Sequence, residues 1–139
     1  MVDVKREYTP HINQNDCWAL VLSKVSGRQY NDIYQEIRQK GYADDNGLFS
    51  QHMNAILEQY GYYPVQIISC RQRSRYGKVA INIDAVLRAL PDEEMVIGSM
   101  NLEKKLSHLS YGCRGVDYTT SETDDSMYDP VLYLWVKRK

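Results

Sequence analysis

The run Asn13-Gln14-Asn15-Asp16-Cys17-Trp18-Ala19-Leu20 turns abruptly from polar to apolar, with a cysteine at the join. A short acceptor side chain at Asp16 predicts a helix N-cap, which makes Cys17 the first residue inside the helix. There the macrodipole is positive, so the thiolate is favoured and the Cys17 N–H is placed to donate to a developing oxyanion. The bland alternative is a buried structural thiol, because free Cys is commonly a small core residue. Downstream, Leu106 to Gly112 and Val116 to Thr120 are two alternating runs around a Gly-bracketed turn, which predicts a β-hairpin with His108 on its first strand and Asp117 on its second. A thiol, an imidazole to take its proton and a carboxylate to hold the other ring nitrogen are the parts of nucleophilic cysteine catalysis. For His108 the competing role is a strand histidine satisfied by a backbone carbonyl. For Asp117 it is an exposed hairpin charge, and Asp16, Asp124 and Asp125 compete for the third catalytic place.

The segment Asp16-Cys17-Trp18-Ala19-Leu20 resembles the Cys-Trp-Ala-Phe segment at the catalytic helix of papain-like cysteine proteases. The arrangement as a whole is similar to small papain-like and bacteriocin-processing-type peptidases of bacteria and phages. Those carry an Asn/Gln-rich segment before the cysteine and a C-terminal sheet with the His and the Asp. The resemblance implies an α+β, papain-like fold with N-terminal helices, the catalytic Cys at a helix start and a C-terminal antiparallel sheet. It also implies a catalytic triad of Cys17, His108 and Asp117, and a cleft wall that includes Trp18. Papain relatives carry an oxyanion-hole Gln six residues before the cysteine, where this chain has His11. Gln14 is the first choice for that amide, with Asn15 or His11 as alternatives.

The elements that must position these groups follow from periodicity. Trp18, Val21, Leu22 and Val25 fall on one helical stripe that stops near Ser26-Gly27. Tyr30, Ile33, Tyr34 and Ile37 mark a second helix ended by Gly41, and Phe49, Met53, Ile56, Leu57 and Tyr60 a third, with Ser50 as its cap and Gly61 as its end. Residues 1–12 are expected to be an extended lead-in along the surface, and Ala43 to Gly47 a loop. Tyr62 to Ser69 reads as a strand that Pro64 places at an edge or that starts after it. The basic stretch from Arg71 to Lys78 reads as a solvated loop, followed by a short helix over Asn82–Leu90 and a buried strand over Met95–Met100. After the hairpin come an acidic loop from Glu122 to Asp125 and a last strand from Val131 to Val136, expected in the same sheet as the hairpin.

Composition bounds the function. The 139 residues suit one domain, and 43% hydrophobic with 25% charged residues is ordinary for a globular protein. Seventeen basic against eighteen acidic residues, a net charge of -1, give no electrostatic reason to expect a nucleic-acid partner, and no run approaches the ~18 apolar residues of a membrane span. Cys17, Cys70 and Cys113 are odd in number and lack a CxxC pair, so neither a disulfide framework nor a structural metal is expected, and no cofactor is implied. His52 is expected at the surface or a boundary. A reducing cytoplasm, bacterial or that of a host, fits the thiols.

The expected function is a cysteine hydrolase acting on a peptide, isopeptide or amide bond of a protein or peptide substrate, with acyl transfer open to the same machinery. The alternative is a catalytically weak or inactive papain-like accessory protein that binds or inhibits a host protein, which the twelve tyrosines against one phenylalanine suit equally well. Substrate preference and oligomeric state stay open.

Overall fold

The structure is a computed structural model that describes residues 4–65, 81–101, 106–119 and 130–139. The stretch 71–78, Cys70, Asp124 and Asp125 lie outside the described residues.

The first helix, α1 (Cys17–Ser26), buries Trp18 to Leu22 and ends where Gly27 takes φ 69° and its N–H bonds the Ser23 carbonyl at 3.0 Å. That left-handed closure costs a residue with a Cβ and suits glycine. The second helix, α2 (Tyr30–Gln39), buries Ile33 and Ile37, and a third, α3 (Met53–Glu58), buries Met53, Ile56 and Leu57. Ser50 does not cap it: Ser50–His52 form a 3-10 turn that leads into α3, with no side-chain cap bond. The fourth helix, α4 (Ile83–Ala89), is capped by Asn82, whose side chain accepts the Ala85 N–H at 2.8 Å.

The extended lead-in and the expected loop both take part in strands. Lys5–Tyr8 form β1, and the Ala43 to Gly47 loop is the tight turn of a hairpin between β2 (Ala43–Asp44) and β3 (Gly47–Leu48). The remaining strands are β4 (Tyr62–Val65), β5 (Glu94–Asn101), β6 (Leu106–Cys113), β7 (Val116–Thr119) and β8 (Val131–Lys137). The large sheet has the order β1-β7-β6-β5-β8-β4, with β1 parallel to β7 and its other pairings antiparallel. The architecture is α+β. The Pro64 strand sits at an edge, where a missing N–H is tolerated, and the last strand joins the hairpin's sheet.

Helices cover both faces of that sheet. On one face α1, α2 and α3 bury Trp18, Leu22, Ile33 and Leu57 against Val96, Tyr111 and Trp135. On the other, α4 buries Ile83 and Leu87 against Met95, Ile97, Val131 and Val136. Trp135 ties the first face together through its Nε1–H, which donates to Asn54 Oδ1 at 2.7 Å. Among the described residues no helix is long and apolar enough to cross a membrane.

Candidate active site

Cys17 begins α1, and Asp16 holds the N-cap position. The carboxylate does not cap the helix. It turns back and gathers the preceding loop: Oδ2 accepts the N–H groups of Ile12 and Asn13, each at 2.9 Å, and the Tyr30 hydroxyl at 2.8 Å. Oδ1 meets His11 Nδ1 at 2.6 Å. Asp16 is fully buried, and burial alone would raise its pKa. The Asn13 N–H, the His11 ring, the Tyr30 hydroxyl and the Ile12 N–H outweigh that and hold it below the usual carboxylate range. Burial and the Asp16 carboxylate push the Tyr30 phenol up to about 12.

Cys17 is a half-buried free thiol. Burial pushes it above the ordinary cysteine value, the reverse of the expected activation, because desolvation at the sulfur exceeds the help from the helix start. The backbone of Leu109, then that of Trp18 and of Cys17 itself, pulls the other way, while the Asp16 charge adds to the upward push. α1 packs on β6, and Leu109 lies in that strand directly after His108. The structure therefore brings Cys17 to the peptide that joins His108 to Leu109.

His108 is half-buried and stands opposite Ser99 of β5. The β5–β6 register is unbroken, so side chains alternate cleanly: Leu109 and Tyr111 face α1, while His108, Ser110 and Gly112 face α4. Asp117 pairs with Gly112 and shares the His108 face, but it lies four residues, roughly 13 Å, further along β6. Asp117 is thus not the carboxylate that orients His108. It is fully buried and meets Arg6 of β1, with Nε and Oδ2 3.5 Å apart.

Trp18 is a second correction. Its expected place in the cleft wall fails because the ring is 1% exposed, stacked on Tyr34 with centroids 5.5 Å apart. Its position one residue after Cys17 turns it into the core.

The expected oxyanion donors are split. Gln14 is exposed and lines a shallow cleft of about 380 Å³ with His11, Ile12, Asn13 and Asn15. Asn15 takes φ 52°, which asparagine tolerates better than most residues, and its amide donates to the Asp45 carbonyl at 2.9 Å. That bond fastens the loop before Cys17 to the β2–β3 turn. His52 stacks on Tyr42 with centroids 4.3 Å apart, away from this cleft's lining.

The group that sequence reasoning undervalued is the His11–Asp16 pair. In the sequence Asp16 reads as a cap and as a competitor for the third catalytic place, and nothing in the local pattern shows that its carboxylate points backward. Tyr30, a helix away in sequence, helps fix that direction. Among the described residues no group of His, Cys, Asp and Glu is arranged to hold a metal ion. Comparison with protein-family models, curated proteins and solved structures returns no match for this chain.

Proposed function

We propose that the chain is a papain-like cysteine hydrolase in which Cys17 attacks the acyl carbon of a peptide, isopeptide or amide bond. What supports this most is the place of the thiol at the first turn of α1, beside the backbone of Leu109, the residue after His108. In the reaction the Cys17 sulfur forms a bond to the acyl carbon as the C–N bond breaks. The thiol proton passes to His108 and on to the departing amine. Water then cleaves the thioester, releasing the acid and restoring the thiol. Transfer to another nucleophile uses the same intermediate. For His108 to serve, its ring has to reach the sulfur past the peptide joining it to Leu109, because strand alternation starts it on the other face.

A papain-like module that works by binding a protein is the second possibility. It is favoured by two observations: burial raises the Cys17 thiol, and Asp117 is engaged by Arg6 instead of His108. Labelling with a thiol-directed acyl electrophile separates the two, with Cys17→Ala as the blank. The hydrolase should label at Cys17 near neutral pH, and His108→Ala should remove most of that labelling. The pH dependence of alkylation at Cys17 should also shift when His108 is replaced. Identical curves in the wild type and His108→Ala, with slow neutral labelling in both, favour the binding module.

A further inference from the structure

We infer that Tyr133 sets the substrate preference of the Cys17 site: its ring is a ledge for a large apolar side chain, aromatic above all, on the acyl group bonded to the sulfur. This rests on the hydrolase reading of Cys17 and adds the class of substrate to it. Sheet register carries the placement. The Cys17 sulfur lies against the backbone of Leu109, Leu109 pairs with Gly98 of β5, and Gly98 pairs with Tyr133 of β8. The three form one row across the sheet on the face that α1 covers, because Leu109 packs there and the neighbouring row of Tyr111, Val96 and Trp135 belongs to the same core. At a strand spacing of roughly 4.8 Å, the two ends of the row are about 10 Å apart.

Gly98 decides which way the ring lies. With no side chain on the middle strand, Tyr133 folds over it: a Cβ at Gly98 would be 3.1 Å from Tyr133 Cδ2 and 3.2 Å from Tyr133 Cβ. The ring thus leans across β5, toward Leu109 and the thiol. Trp135 stacks against it with centroids 5.8 Å apart, and Trp135 is itself pinned by its bond to Asn54. An exposed tyrosine is ordinary by itself. This one is fixed from behind, stands in the row that begins at the thiol, and is still 50% exposed against 5% for Trp135, so its outer side is open to a ligand. Neither row holds a charged residue. The first ones, Glu94 and Lys137, come four residues further along β5 and β8 and pair with each other, which favours an apolar occupant over a charged one. Aromatic rings in contact have centroids about 4.5–7 Å apart, so a phenyl group two carbons from the acyl carbon spans the rest of the interval to the sulfur.

The test compares two acyl groups at one sulfur. Acylation of Cys17 by p-nitrophenyl hydrocinnamate and by p-nitrophenyl acetate forms a thioester and releases the same p-nitrophenolate, so the ratio of the two rates reads the acyl group alone. It is measured within each protein, which cancels any loss of folded material. With Cys17→Ala as the blank, the wild type should prefer the hydrocinnamate, and Tyr133→Ala should lower the ratio by about tenfold, the order of one apolar contact in a substrate pocket. Tyr133→Phe, which keeps the ring, should keep the ratio. Gly98→Ala, which pushes the ring off β5, should lower it as well. The same ratio in the wild type and Tyr133→Ala overturns the inference while the hydrolase stands. An equal fall in Tyr133→Ala and Tyr133→Phe overturns it in favour of a role for the hydroxyl. No acylation of the wild type above the Cys17→Ala blank by either ester removes the hydrolase, and the inference with it.

Discussion

Asp16 shows how one side chain decides what its neighbours can do. Its position before an apolar helical stripe was legible, and so was the placement of Cys17 at the helix start, because both follow from a local change of polarity. The direction of the carboxylate was not, since it is set by Tyr30 and by the backbone of Ile12 and Asn13. The burial of Trp18 was legible from its place on the apolar helical stripe, against the cleft-wall role that the resemblance implied, whereas its stacking partner Tyr34 on the next helix was not. Because the folded pKa of Asp16 is depressed, its contribution to stability is present above the unfolded value of about 3.9 and is lost as pH falls through the lower folded value. Thermal melts should therefore show a loss of stability below about pH 4 that is much smaller in Asp16→Asn. That variant should already be less stable at pH 7 by roughly 2 kcal/mol, because an amide cannot accept every donor now on the carboxylate. An unchanged acid limb in Asp16→Asn would assign the transition to other carboxylates.

At the level of elements, the helices were legible from their 3.6-residue period, and Gly27, Gly41 and Gly61 mark their ends with φ values of 69°, 76° and 85°. The short strands were not. β2 and β3 have two residues each, too few to show an alternation, and β1 gains its identity from a partner far along the chain. The hairpin of β6 and β7 was found, but its register was not, and register separates Asp117 from His108. Register also makes Gly112 a close-packing site between the sheet and α4. A Cβ there would lie 2.7 Å from Leu87 Cδ2 and 3.1 Å from Met95 Cγ, and both side chains are fully buried. Gly112→Ala should destabilise the protein by about 1–3 kcal/mol in denaturant unfolding, with α4 displaced. A neutral effect would mean that α4 shifts freely on the sheet.

Across the whole molecule, the α+β class follows from helices first and strands second, whereas the helix on the far face of the sheet could not be assigned from periodicity alone. The Arg6–Asp117 pair joins β1 to that assembly, with side-chain exposures of 7% and 0%. Removing one partner of a buried pair strands the other charge, so Asp117→Ala should cost about 3–5 kcal/mol and speed hydrogen exchange across Lys5–Tyr8. Acylation at Cys17 should be preserved under conditions where the variant is folded. Lost acylation with unchanged stability would return Asp117 to the catalytic apparatus.

The parallel pairing of β1 with β7 has a kinetic side. Lys5 meets Val116 only after more than a hundred intervening residues have been brought together, and loop-closure entropy makes so distant a contact slow to form. The α1 helix leaves the ribosome well before the strand that covers its cysteine. The thiol at the helix start is therefore uncovered on the nascent chain until β6 has been made.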